Sequence, residues 1–279
     1  MKTAIALRLF REYQKSNLKP ATVLGYRYLL ENFEVLFADK ELRSISTEDL
    51  FHFLEIITEH NAKSSKHHRY AQLKAFFNFI IANYDSDLTN PLDAPLMRKT
   101  FRRPKPKQRQ IVPKEIVDEA IFNSESLRDR LLLELQSRCG ARIGEILKLR
   151  VKDIEERKLI VLDPKSGKDV EVIFMPEQVA KRLKAYIQNE RLGQEDRAFK
   201  LCYGTARKII NRLGGRLGIK LNPHDLRRHS ATFASRNGVP LEIISKVILR
   251  HQDLKTTQVY LGKVSESEAI RWMDILHEK

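Results

Sequence analysis

Residues 224–260 read HDLRRHSATFASRNGVPLEIISKVILRHQDLKTTQVY, and this stretch decides the fold expected for the C-terminal part of the chain. Its apolar spacing predicts helices over residues 225–236 and 241–249, which a glycine and a proline separate. His224 and Arg227 stand three residues apart at a helix start, where free backbone N–H groups and a cation can hold a phosphate. A His-x-x-Arg pair is common by chance and carries weight only together with other motifs.

The same stretch ends with His251 and, nine residues later, Tyr260. A single tyrosine at helical spacing is more often a core residue than a nucleophile. Cleavage of a phosphodiester without metal needs such a hydroxyl, cations for the non-bridging oxygens and an acid for the leaving oxygen. The chain has few clusters of metal ligands and many arginines, which favours this route over metal and water.

Two further motifs precede the stretch. Residues 139–150, CGARIGEILKLR, place Arg142 three residues before Glu145, so the carboxylate can brace the arginine; a surface Arg–Glu pair is the alternative. Residues 163–169, DPKSGKD, join two β-branched runs and predict a β-hairpin with Lys165 at its tip. A lysine in a flexible turn suits proton donation to a leaving group, although lysines are common in turns.

The first 95 residues are predicted to form about four amphipathic helices, a small bundle. Ser46, with Asp49 three residues on, predicts a capping box at the start of one helix. Basic side chains gather at the start of the last helix, where they either contact phosphates or form a solvated turn. These residues are Lys63, Lys66, His67, His68 and Arg69.

Residues 91–113, PLDAPLMRKTFRRPKPKQRQIVP, are rich in proline and positive charge. Proline blocks regular structure, so we expect an extended segment here and a linker between two domains over residues 96–112. Such a linker either follows a nucleic-acid backbone or simply connects the domains, and the density of charge favours the first. The linker residues expected to contact DNA are Arg102, Arg103, Lys105 and Lys107.

Composition favours a nucleic-acid partner. The 279 residues carry a formal net charge of +15, which suits nucleic acid first and an anionic membrane surface second. No apolar run approaches the ~20 residues that span a bilayer, so we expect a soluble intracellular protein. Cys139 and Cys202 form no metal-binding or disulfide pattern; both are expected to be buried, and no metal site is predicted.

In their order along the chain, these motifs resemble the signature of the tyrosine recombinases, the phage integrase family of site-specific DNA recombinases. The resemblance implies a mainly α fold with a small β-hairpin or sheet in the catalytic domain, and two domains that clamp DNA. Residues 1–95 would form the helical core-binding domain, residues 96–112 the basic linker and residues 113–279 the catalytic domain. Residues 265–279 would form a helix that docks on a neighbouring subunit or packs on its own domain.

The resemblance also implies a role for each site residue. Tyr260 attacks the scissile phosphate and forms a 3′-phosphotyrosyl link, which frees a 5′-hydroxyl. Arg142 and Arg227 neutralise the non-bridging oxygens through forked N–H groups. Lys165 protonates the leaving oxygen, with Lys168 as its rival in the same turn. No cofactor is implied.

His224 and His251 are expected to assist proton transfer and hold the phosphate, and Glu145 is expected to support them. Two departures from the family pattern stand out. The usual Thr-Gly-Leu-Arg-x-Ser-Glu is Cys-Gly-Ala-Arg-Ile-Gly-Glu here, and Arg250 replaces the glycine of Leu-Gly-His.

The chain starts directly at the core-binding bundle, which favours an Xer-like recombinase over a temperate-phage integrase. This predicts resolution of chromosome or plasmid dimers by a tetramer on double-stranded DNA with specific recombination sites. It also predicts a cytoplasmic, nucleoid-associated protein with a role in chromosome partition. The alternatives are an integrase of a plasmid or other mobile element, a type IB topoisomerase and a non-catalytic DNA-binding protein.

Overall fold

A computed structural model of the protein describes residues 1–105, 111–164, 167–261, 270 and 273, and of residues 259 and 260 the backbone alone. The chain divides into two compact units, Met1–Lys107 and Gln108–Lys279. The described part is mostly helical and contains one small antiparallel sheet, which confirms the predicted fold class. Within these residues no helix is both long enough and apolar enough to cross a membrane.

The first unit is a helical bundle with an aromatic core. Phe10 and Phe33 are buried and pack edge-on against Phe76, with ring centroids 5.4 and 5.9 Å away. The predicted capping box is confirmed, because Ser46 Oγ accepts from Asp49 N and Asp49 Oδ2 accepts from Ser46 N. The helices are α1 (Thr3–Asn17), α2 (Pro20–Phe37), α3 (Thr47–Thr58), α4 (Lys63–Asn83) and α5 (Pro95–Thr100).

The prediction of an extended chain over residues 91–113 is wrong for its first part. Pro91–Asp93 forms a 3₁₀ turn and α5 follows it. Leu92, Met97 and Phe101 are buried, and Phe101 stacks on Tyr70 at 5.7 Å, so the segment closes the bundle. Each proline occupies the first turn of its helix, where its missing N–H costs nothing.

The residues that follow α5 carry the predicted DNA contacts. Arg102, Arg103 and Lys105 are exposed, whereas Lys107 lies outside the described residues. The division between the two compact units falls between residues 107 and 108 of the chain, within the predicted linker. The exact domain boundaries stay a prediction.

The second unit packs its helices around α7. Leu131, Leu132, Leu133 and Leu135 on this helix are fully buried, so α7 lies in the centre of the core. The described helices are α6 (Lys114–Phe122), α7 (Leu127–Ser137), α8 (Ile143–Ile146), α9 (Glu177–Asn189), α10 (Tyr203–Arg216), α11 (Pro223–Arg236), α12 (Leu241–Ile243) and α13 (Leu254–Leu261).

The predicted hairpin belongs to a three-stranded antiparallel sheet in the order β1-β2-β3. The strands are β1 (Ile154–Glu155), β2 (Lys158–Leu162) and β3 (Val170–Phe174). Leu162 pairs with Val170, so the predicted lysine turn connects β2 and β3. Two-residue β1 is too short to leave a period-two signal in the sequence.

The helix predicted over residues 241–249 is interrupted. Three α-helical residues of α12 lead into a π-helical turn, Ile244–Ile248. The turn closes with a hydrogen bond from Leu249 N–H to Ile244 O at 2.8 Å, five residues back. Both of these side chains are buried against α11, so tertiary packing holds the wide turn.

The predicted docking helix over residues 265–279 lies outside the described residues, apart from Ile270 and Met273. Both of these side chains are exposed. Docking of this segment stays a prediction.

Candidate active site

The site begins at the loop between α7 and α8, which contains Arg142. Gly140 adopts a left-handed backbone with φ of 64°, and Ala141 N–H donates to Leu135 O at 3.0 Å. A Cβ on Gly140 would lie 2.7 Å from Ile248 O, inside van der Waals contact. Glycine therefore allows the loop to approach the π turn and brings Arg142 beside Leu249.

Arg227 of α11 connects the loop that contains Gly140 to Leu249, the residue that follows the π turn. Its side chain is 2% exposed, and its guanidinium donates from Nη1 to Gly140 O and from Nη2 to Leu249 O. Arg142 donates from Nη2 to the same Leu249 oxygen at 3.5 Å. The two arginines predicted from separate motifs thus converge on one carbonyl, 107 and 22 residues away along the chain.

Glu145 braces Arg142 twice. Its Oε2 accepts from Arg142 N–H at 2.8 Å, and its Oε1 accepts from Arg142 Nη1 at 2.6 Å. The Arg142 and Glu145 side chains are 21% and 8% exposed, so the alternative of a surface pair is wrong. Burial acts to raise the pKa of Glu145, but attraction to Arg250 and the hydrogen bonds from Arg142 outweigh it and lower the pKa.

Arg250 is a buried cation of the same cluster. Its Nη2 donates to Glu145 Oε2 at 2.7 Å, its Nε to Glu171 Oε2 at 3.0 Å and its Nη1 to Ile248 O at 3.0 Å. The Arg250 and Glu171 side chains are each 4% exposed. The cluster therefore has three arginines and two glutamates, a surplus of one positive charge that suits an anionic phosphate.

Sequence reasoning missed Glu171. The period-two pattern of β3 contained the signal, because Glu171 shares the inward face of that strand with buried Ile173. A glutamate on the buried face of a strand requires a cation nearby. The residue that supplies the cation, Arg250, lies 79 positions further along the chain, so no local pattern could connect them.

His251 follows directly and is held by two buried hydroxyl groups. His251 Nδ1 lies 3.0 Å from Thr257 Oγ1, which donates to Ser245 Oγ at 2.9 Å. The imidazole, Thr257 and Ser245 thus form a chain of hydrogen bonds that holds the ring in place. Burial, followed by the charges of Arg227, Arg142 and Arg250, lowers the pKa of His251 to about 4, so the ring is neutral at pH 7.

The other predicted site residues differ in how far the structure describes them. His224 is exposed on the first turn of α11, three residues before Arg227. That helix begins two residues earlier than predicted, at Pro223. A capping box between Asn222 and Asp225 fixes its start.

Tyr260 lies on α13 by its backbone, and its side chain is outside the described part of the chain. Lys165 is outside it as well, and its rival Lys168 is exposed in the hairpin turn. The structure therefore brings Arg142, Arg227, Glu145 and His251 together. The catalytic roles of all these residues stay predictions.

The basic cluster of the first unit divides into structural and exposed members. Arg69 donates to Gly25 O at 2.9 Å and lies over the Tyr28 ring, and His67 Nδ1 contacts Phe101 O at 2.7 Å. These contacts hold the bundle together. Lys63 is exposed and Lys66 is half-buried at the N-terminal turn of α4, so they present charge to solvent.

The two cysteines differ. Cys139 is 5% exposed, as predicted, but the prediction of a buried Cys202 is wrong. The Cys202 sulfur caps α10 by accepting from Thr205 N–H at 3.5 Å, a local role that works at the surface. Among the described residues, no group of three or more His, Cys, Asp or Glu could hold a metal ion.

Comparisons with known proteins identify the family to which the chain belongs. The phage integrase family model matches residues 109–266, more than half of the chain, and the phage integrase N-terminal SAM-like domain matches residues 7–83. Tyrosine recombinase XerA of Saccharolobus solfataricus is 34% identical over 167 residues, which cover 58% of this chain and 56% of that protein. Tyrosine recombinase XerD of Proteus mirabilis is 26% identical, over 95% of this chain and 88% of that protein.

The fold has a solved counterpart. The structure of XerH site-specific recombinase bound to palindromic difH substrate, a post-cleavage complex, is similar to this chain with a TM-score of 0.71 and 20% identity. The match covers 99% of this chain and 85% of that one. Because the phage integrase family model matches more than half of the chain, the chain belongs to the phage integrase family, the family of the tyrosine recombinases.

Proposed function

We propose that the protein is a site-specific DNA recombinase of the tyrosine type, which cuts and rejoins DNA through a 3′-phosphotyrosyl intermediate. The observation that carries the proposal is the convergence of Arg142 and Arg227 on the Leu249 carbonyl, beside the neutral imidazole of His251. Ten residues beyond Arg250, on α13, the chain places Tyr260. A phosphate anion in this cluster meets two guanidinium groups that remain charged at every physiological pH.

In the proposed cleavage step the Tyr260 oxygen forms a bond to phosphorus while the bond from phosphorus to the 5′-oxygen breaks. The phenol has an ordinary pKa near ~10, so attack at neutral pH needs an acceptor for its proton and cations for the developing charge. His224 and His251 are the acceptors, and Arg142 and Arg227 supply the cations. Religation reverses the step, so no outside energy source is needed.

The leaving 5′-oxygen needs a proton. We assign this donation to Lys165 in the hairpin turn, with Lys168 as the alternative. Glu145 keeps Arg142 in place through its two hydrogen bonds. Arg102, Arg103 and Lys105, all exposed, are proposed to contact the DNA backbone together with Lys63 and Lys66.

The substrate is proposed to be double-stranded DNA with specific recombination sites, bound by a tetramer that exchanges strands between two sites. Support comes from the XerA and XerD relatives and from the XerH complex with its difH substrate. The proposed role of such an Xer-like recombinase is the resolution of chromosome or plasmid dimers in the nucleoid. The net charge of +15 supplies the attraction to DNA that such binding requires.

A nicked suicide duplex tests the chemistry, because the nick releases the 5′-fragment and traps the covalent intermediate. We expect a protein–DNA adduct that survives denaturation, and none with Tyr260→Phe. Tyr203→Phe is the matched control, since it removes a hydroxyl from an exposed tyrosine on α10. An adduct with Tyr260→Phe, or none with the parent protein, contradicts the proposal.

A second assay separates recombination from topoisomerase activity. Two plasmids that carry a defined site should exchange strands, whereas a plasmid without the site should keep its supercoils. Relaxation of any supercoiled plasmid without exchange would identify a type IB topoisomerase instead.

A further inference from the structure

Arg250 occupies a backbone conformation that disfavours it. Its φ is 51°, in the left-handed region that glycine enters freely and that an L side chain enters at a steric cost. The family pattern described above has glycine at this position. A residue that retains a side chain under this strain must gain from the contacts of that side chain.

Those contacts join three segments of the second unit. The guanidinium binds Glu145 at the start of α8, Glu171 on β3 and the carbonyl of Ile248 in the π turn. β3 follows the turn that contains Lys165 and Lys168, and Arg250 directly precedes His251. Arg250 therefore connects the sheet to the segment that contains His251. The side chains of Arg250, Glu145 and Glu171 are at most 8% exposed, and water screens ion pairs at such sites little.

Arg250 is the main partner of the buried Glu171 side chain. Glu171 Oε2 accepts from Arg250 Nε, while Oε1 accepts no hydrogen bond within the described ranges. The next cation is Arg142, whose Nη1 lies 3.6 Å from Glu171 Oε2 and 2.6 Å from Glu145 Oε1. Without Arg250, two buried carboxylates would compete for the Arg142 guanidinium and neutralise the charge that a phosphate needs.

We propose that Arg250 is a positioning residue for strand cleavage: by binding Glu145 and Glu171 it keeps Arg142 oriented and available for the scissile phosphate. The inference rests on the proposed function, because it assigns the effect to the cleavage step. It predicts that the damage caused by loss of Arg250 comes from the carboxylate left behind at Glu171. Neutralising Glu171 should therefore restore activity.

The experiment compares Arg250→Gly, Glu171→Gln and the double variant with the parent in the suicide-duplex assay, using full-length protein. Arg250→Gly should lower the single-turnover rate of adduct formation about 100-fold, the size of effect expected when a catalytic group moves by about 1 Å. The affinity for an intact duplex should change less than about threefold, since phosphate contacts outside the cluster dominate it. The double variant should cleave at least about 10-fold faster than Arg250→Gly.

Arg191→Gly is the matched control. Arg191 also has a left-handed backbone, with φ of 50°, but its side chain is exposed. The control makes the same chemical change at the same backbone conformation and should cleave at the parent rate. A loss equal to that of Arg250→Gly would assign the effect to the backbone and overturn the proposal.

The other outcomes are equally decisive. Parent-like cleavage by Arg250→Gly, or a double variant no faster than that single variant, overturns the inference. If Arg250→Gly does not fold, Arg250→Lys decides: it keeps the charge but lacks the forked geometry that reaches both carboxylates. A slower Arg250→Lys with a parent-like melting temperature supports the inference, and parent-like cleavage overturns it. Absence of any adduct from the parent would instead refute the proposed function, and the inference with it.

Discussion

Replacement of Glu134 by glutamine tests what stabilises α7, the core helix that precedes the Arg142 loop. Glu134 is fully buried on α7, eight residues before Arg142. Both of its oxygens accept from Arg182, at 2.8 and 2.9 Å, and Oε1 also lies 3.4 Å from Arg130 and 3.9 Å from Arg138. Glutamine keeps the volume but removes the charge and turns an N–H₂ group toward the Arg182 donors.

The expected loss of stability in Glu134→Gln depends on the burial of Glu134 and on the partial exposure of its arginine partners. Removal of one member of a buried ion pair costs about 3–5 kcal/mol, because the partner charge is left uncompensated. The three arginines keep between 28% and 41% of their side chains exposed, so water recovers part of this energy. We therefore expect about 3 kcal/mol, the lower end of that range. For a unit of this size this corresponds to a decrease in melting temperature of about 6–12 °C.

Differential scanning calorimetry of the full chain measures the effect on the transition of the second unit. Glu195→Gln is the control, because Glu195 pairs with Arg150 and Lys152 but is 67% exposed, and exposed ion pairs stabilise little. Its melting temperature should stay close to that of the parent. Equal shifts for Glu134→Gln and Glu195→Gln would refute the argument that burial makes the first cluster stabilising.

Two further predictions concern the loops of the site. Gly140→Ala should destabilise the second unit by about 3 kcal/mol, because the strain of the left-handed φ and the close contact with Ile248 O add together. The control is Gly215→Ala on an open face of α10, which should not destabilise the unit. Urea unfolding measures both variants, and equal stability of the two would contradict this. The pKa of His251 is about 4 in the folded chain and ordinarily 6.5, so the unfolded chain binds a proton that the folded chain does not, and stability should fall as pH decreases from about 6.5 to about 4. His251→Gln should reduce this slope in urea unfolding, and an unchanged slope would refute the assignment.

Local patterns predicted the helices and the capping box because each depends on neighbouring residues. The apolar stripe of α2 and the pair Ser46 and Asp49 are examples. The convergence of Arg142 and Arg227 was expected from the family resemblance alone, since 85 residues separate them and no periodicity spans that distance. The buried pair of Arg250 and Glu171 was missed for the same reason.

Composition misled in one segment. The prolines and charges of residues 91–113 suggested an extended chain, but three apolar side chains of this segment pack in the core of the bundle. Burial of Leu92, Met97 and Phe101 outweighs the low helical propensity of the surrounding residues. The spacing of these residues within the segment was the overlooked signal.

The π turn at Ile244–Ile248 makes the number of residues in this segment as important as their identity. An α-helix turns once in 3.6 residues, so one deleted residue would rotate everything after it by roughly 100°. The Leu249 carbonyl would then point away from Arg142 and Arg227, and Thr257 would lose its hydrogen bond to Ser245 in the turn. The wide turn thus determines how the segment that leads to Tyr260 is rotated relative to Arg142 and Arg227. Insertions and deletions between Pro240 and His251 should be tolerated far less than substitutions on the exposed face of the same segment.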